Sequence, residues 1–193
     1  MADPLSNSAF RQLPPGVPNL LRLVSAPPRL IAHLVLVHDV ASRLVELLSQ
    51  AFPNVALDGV LFGAATHDLG KAHYIAELVR PGKEHERRGV DLLLAMGISQ
   101  DRARFAYTHG NWDTVQNVTL EDLLVALADN CWKGKREDAL ETKTVNLLSA
   151  VSGKPAWDCY AELDKILGAL AADADARLDW QREFGTECAG NPE

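Results

Sequence analysis

The sequence predicts an all-α protein folded as a single domain, on three observations. Apolar residues recur at helical spacing over long stretches, no run alternates in the manner of a strand, and prolines and glycines fall where helices have to end. At 193 residues the chain is long enough for one proper core and short for two.

The elements follow in order. Residues 1–28 hold Pro14, Pro15, Pro18, Pro27 and Pro28, which cannot sit inside helices, so this part reads as an extended arm with at most a short turn near residues 19–24. Leu30, Leu34, Val37, Val40, Ala41, Leu44 and Leu48 share one helical face, and Pro53 stops that helix near residue 52. Asp58 can cap a second helix reaching residue 69. A break at residues 80–82 precedes a third helix, residues 83–96, closed by Gly97. Ser99 can cap a helix to residue 108, and residues 110–119 are polar and loop-like. Thr119 with Asp122 opens a helix to residue 132. Helices over residues 135–151 and 155–184 complete the domain, which thus spans residues 29–184, with a flexible tail at residues 185–193.

Composition narrows the function. The formal net charge is -7 and the pI about 5.3, so the overall field does not draw a nucleic-acid polymer, whereas a small anion remains possible beside a metal or a local cation. Three cysteines with no CxxC spacing argue for a reducing compartment and against both a disulfide framework and a zinc ribbon. With no signal-peptide layout and no apolar run of membrane length, the expectation is a soluble, cytoplasmic protein. A phosphate-binding loop fails as well: the spacing from Gly63 to Gly70 is too long, and Ala72 stands where a Ser or Thr is required.

The chemistry lies in the histidines and carboxylates. His67 and Asp68 sit side by side in an otherwise small, apolar segment whose packing buries them, and buried charge is costly unless paired or metal-bound. His85 opens a helix, His109 follows one, and Asp129 interrupts the apolar run LLVALADN. Each has a plainer explanation: a core histidine is usually hydrogen-bonded, Asp68 can pair with Lys71, and Asp129 can cap a helix or pair with Arg102 or Lys133. Taken together, they form a plausible metal cage.

Over residues 29–136, the segments LFGAATHDLGKA, HERRGVDLLLAMG, YTHGNW and LLVALAD resemble the HD-domain superfamily of metal-dependent phosphohydrolases. The resemblance implies a helical bundle in which His67, Asp68 and Asp129 bind a first metal with a histidine of the opening helix. It further implies that His85 and His109 hold a second metal, with Asp68 bridging. The opening helix offers His33 and His38, five apart and therefore about 140° apart around the helix. His33 lies beside the apolar face and its spacing to Val37, Ala41 and Leu44 fits the family pattern. His38 has the commoner spacing to His67 and remains the alternative ligand, otherwise lying behind the ligands or facing the substrate.

The implied cofactor is a pair of divalent transition metals, Fe or Mn first, then Co, Ni or Mg, since histidine-rich ligation suits the former better than Mg. The implied reaction is hydrolysis of a phosphomonoester or phosphodiester of a small molecule, a nucleotide being favoured. Asp68 orients the attacking water, and Lys71, Arg87 and Trp112 contact the substrate. Two alternatives share the fold: a di-iron oxygenase cleaving a C–C or C–P bond, and a binding module that keeps the metals without turnover. No membrane or nucleic-acid partner is expected, and oligomeric state is open.

Overall fold

The computed structural model describes residues 3–57 and 59–186, and among these the chain is helical, with no strand. Ten α-helices occur in order: α1 (Val17–Leu23), α2 (Pro28–Ala51), α3 (Val60–Thr66), α4 (Glu84–Ala95), α5 (Gln100–Ala103), α6 (Phe105–Asn111), α7 (Leu120–Cys131), α8 (Asp138–Ser152), α9 (Ala156–Ala171) and α10 (Ala174–Arg182). Short 3-10 turns occupy Pro4–Ser6, Leu69–Ala72 and Ile75–Leu78.

Helix α2 is the axis of the molecule. Its apolar residues from Leu36 to Leu48 join α3, α7, α8 and α9 in the larger core cluster. Leu30 and Leu34, one turn earlier, belong to a smaller cluster with Val17 and Leu20 of α1, Leu69, Leu93 of α4 and Ala106 of α6. His33 and the His67–Asp68 pair lie at the seam between the two clusters, which is why polar groups are buried there.

Three expectations are corrected. The segment 1–28 is not extended throughout: α1 buries Val17, Leu20 and Leu21, because Pro18 falls in the first turn, where a missing N–H costs nothing. The helix expected over residues 99–108 is two pieces, and α6 continues to Asn111, so His109 sits on a helix and not after one. The C-terminal helix is also two, α9 and α10, divided at residues 172–173. The expected cap at Asp58 and most of the tail, residues 187–193, lie outside the described residues.

Local chemistry explains how the site-bearing elements are held. The Thr119 hydroxyl accepts from the Asp122 N–H while Asp122 accepts from the Thr119 N–H, a reciprocal cap on α7. Asp122 also accepts from Thr108 Oγ1 at 2.9 Å and Arg104 Nε at 3.0 Å, fastening α6 to α7. Gly70 lies directly against the first turns of α4, where a Cβ would overlap the His85 carbonyl and the Gly89 N–H. Only glycine permits this approach, which brings α4 up to the His-Asp pair.

Candidate metal centre

Six side chains converge, His33 of α2, His67 and Asp68 just past the end of α3, His85 of α4, His109 of α6 and Asp129 of α7, with Asp68 at their centre. Its Oδ2 faces His33 Nε2 at 2.9 Å, His67 Nε2 at 3.5 Å and Lys71 Nζ at 2.6 Å. Its Oδ1 faces His85 Nε2 at 3.0 Å and His109 Nε2 at 3.5 Å. Asp129 Oδ1 completes the first side, 3.4 Å from His33 Nε2 and 3.6 Å from His67 Nε2. One carboxylate thus presents an oxygen to each of two groups of donors. His33, His67 and Asp129 form one set close enough to share an ion, and His67, Asp68 and His109 another.

The ring orientations are set from behind. His67 Nδ1 donates to the Ala64 carbonyl and His109 Nδ1 to the Phe105 carbonyl, each at 3.0 Å; a carbonyl cannot donate, so Nδ1 carries a proton and, in the neutral ring, Nε2 keeps its lone pair. His85 Nδ1 lies 2.5 Å from Glu77 Oε2. Glu77 was not foreseen from sequence, because it sits on a 3-10 turn nine residues after Asp68 with no readable pattern around it.

The donor set fits a divalent metal. Asp68 Oδ1 and His85 Nε2 are both buried without a hydrogen-bond partner, although they lie 3.0 Å apart. With a neutral His85 ring two buried acceptors would face each other here, a cost that a cation between them relieves. His33 Nε2 and His67 Nε2 lie 3.3 Å apart beside them.

Charge is tuned accordingly. Burial pushes the Asp68 carboxyl up, but the Lys71 ammonium above all, together with the surrounding imidazoles, outweighs it and holds Asp68 well below the usual carboxylate range. Asp129 is likewise low: burial is overcome by the neighbouring His67 imidazole and by Lys133, 3.5 Å away. Lys71 stays protonated, because Asp68 more than offsets the burial that would lower it. His33 is lowered, mainly by burial.

Other expected site residues lie elsewhere. His38 is buried on a different face of α2, with Nδ1 unpartnered, and lines a cavity with Arg11, Ser42, Phe62 and Arg102; it is not among the converging donors. Arg87 lies over the Tyr107 ring in a cavity of about 410 Å³ between α4 and α6 that includes none of the six. Two residues past His85, it points about 200° away around the helix. Trp112 packs on the larger core, and its carbonyl accepts from Lys143 Nζ at 2.7 Å. Among the cluster and its neighbours, exposure remains at Lys71, Asp129 and Lys133, the side chains of which keep 20%, 22% and 36% of their surface.

Comparison with known proteins places the site in a family. A family model of the HD domain matches residues 30–132, just over half of the chain. Among curated proteins the chain is 31% identical over 139 residues to one named Multifunctional CCA protein, from Thioalkalivibrio sulfidiphilus (strain HL-EbGR7). That match covers 72% of this chain but 30% of the relative, so the chain spans under a third of the relative's length. No solved structure gives a match.

Proposed function

The chain belongs to the HD-domain family, and from that premise we propose that it is a phosphohydrolase with a dinuclear metal centre, cleaving a phosphate ester of a small molecule. His33, His67, Asp68 and Asp129 would hold one metal, and His85 and His109 the other, with Asp68 shared. The observation that carries this reading is the split of Asp68: one oxygen toward His33 and His67, the other toward His85 and His109.

Bound divalent metals supply Lewis-acid polarisation of a phosphoryl oxygen and acidify a water. The chain does the rest. Asp68, held ionised, would orient the attacking water by accepting its proton in a hydrogen bond. Lys71 and Lys133 flank the exposed edge of the cluster, giving a phosphate two cations in a chain of net charge -7. Lys71 is placed to steady charge growing on the phosphoryl oxygens. His33 packs edge-on against Trp132 at 5.1 Å, and the indole shields the ring from bulk water.

The substrate proposed is a nucleotide or similar small phosphate ester, and the likeness to a relative named a CCA protein lends that choice a nucleotide context. Mn or Fe is the proposed metal. The test is elemental analysis of protein purified without chelator, followed by a phosphate-ester screen on the metal-loaded chain. Close to two metals per chain and phosphate release are expected; two metals with no release from any ester would favour a binding module, and oxygen uptake by iron-loaded protein the oxygenase.

A further inference from the structure

We propose that Glu77 is a positioning residue for His85 and sets how tightly the Asp68 Oδ1 side of the cluster holds its metal; this rests on the dinuclear reading above. Glu77 meets His85 twice. Its Oε2 is 2.5 Å from the ring Nδ1 and accepts from the backbone N–H at 3.4 Å, while Oε1 accepts from the Glu84 N–H at 3.2 Å. Helix α4 has no side-chain cap from its own flanking residue, Lys83, so the Glu77 carboxylate satisfies the first-turn donors and orients the imidazole at once.

The loop is shaped around this carboxylate. A Cβ at Gly82 would overlap the Glu77 Cγ, Cδ and Oε1, so the chain between residues 77 and 84 wraps the side chain closely. The Glu77 side chain is 10% exposed, low for a carboxylate on a short connecting turn. With Nδ1–H directed at Glu77, His85 Nε2 faces Asp68 Oδ1 as a lone pair.

Among the described residues the cluster is asymmetric in this respect. His67 and His109 are oriented by uncharged backbone carbonyls, His85 by an anion. A carboxylate behind an imidazole makes it a stronger donor and adds a negative charge opposite the dication, and removing such partners typically lowers metal affinity about 10–100-fold. The effect belongs to the half of the centre that His85 serves. His33, on the other side of Asp68, meets Asp68, Asp129 and His67 through its Nε2.

The experiment titrates Mn(II) into the metal-free full chain, followed by calorimetry and by the Mn(II) electron paramagnetic resonance spectrum. The wild-type chain is expected to take up two Mn. Glu77→Gln, which keeps an acceptor without the charge, should weaken one of the two sites about tenfold, and Glu77→Ala about a hundredfold, the other site being unchanged. His85→Ala should weaken the same site, and adding Glu77→Ala to it should change that affinity less than twofold, a non-additivity that loss of a cap alone does not produce. Full two-site binding in both Glu77 variants would overturn the proposal, as would Glu77→Gln and Glu77→Ala weakening both sites equally. A wild-type chain that takes up one Mn or none instead sinks the dinuclear reading on which it stands.

Discussion

His33 and His38 lie on one helix, both buried, yet they meet opposite surroundings. His33 Nε2 faces two carboxylates and a second imidazole within 3.4 Å. His38 has Asp39, Arg11 and a cavity of about 830 Å³ for company, and no second imidazole or convergent carboxylate. Burial lowers the pKa of each, that of His38 to about 4. Burial and a neutral ring are therefore no mark of a ligand. Convergence of several lone pairs on one point is.

The comparison breaks most sharply at the hub. Asp68→Ala, and separately His67→Ala, should reduce phosphate release by about a thousandfold or more while helical content is retained, as read by turnover and circular dichroism on the same samples. Turnover near the wild-type rate in both variants would remove the cluster from the chemistry. On the next rung, Lys71→Met should cost about a hundredfold in turnover with metal content unchanged, since the lysine is proposed to meet the phosphate and not the metal.

The two histidines can then be set against each other. His33→Ala should lower metal content per chain, whereas His38→Ala should keep it and lose about 1–3 kcal/mol of stability to denaturant, as expected of a buried polar side chain outside the site. Retention of both metals in His33→Ala, with loss in His38→Ala, would reverse the assignment on α2. Acid sharpens the same contrast. A ring with a folded-state pKa near 4, against the ordinary 6.5, stays neutral in the folded chain while the unfolded chain takes up a proton. The unfolded state binds more protons between those values, so His38 costs stability as pH falls from 6.5 to 4, by up to about 3 kcal/mol in all. In metal-free protein, His38→Gln should flatten that part of the stability profile. The smallest effect is expected at Arg87→Ala, within about twofold of wild-type turnover, because its groove excludes the cluster.

Much of this site can be read from residue type and order. His67, Asp68, His85, His109 and Asp129 stand out because each interrupts an apolar or small-residue run, and His33 because it borders the buried face of its helix. What escapes the sequence depends on helical phase and on loops. Arg87 looks like a cleft residue by its neighbours in the chain, but two positions on a helix separate it from His85 by more than half a turn. Trp112 looks like a base-stacking residue by its neighbours in the chain, and only the fold shows it partly buried against the larger core. Glu77 escapes because a 3-10 turn carries no periodicity. The arm conceals α1 because a proline in a first helical turn and a proline in a loop are the same letter. The fold class was legible from periodicity alone, whereas the division of α9 from α10 was not, since nothing in ALAADADA breaks a helix strongly.

The close passage of Gly70 against α4 gives one position leverage over the whole centre. The His-Asp pair and His85 belong to segments clamped face to face at a point with no room for a methyl group. A side chain there would act as a wedge, prising His85 from Asp68 while leaving His33, His67 and Asp129 seated on α2, α3 and α7. If the centre holds two ions as proposed, its nuclearity would hang on the thickness of one residue: a single substitution far simpler than deleting a ligand would turn a two-ion centre into a one-ion centre with every donor still encoded.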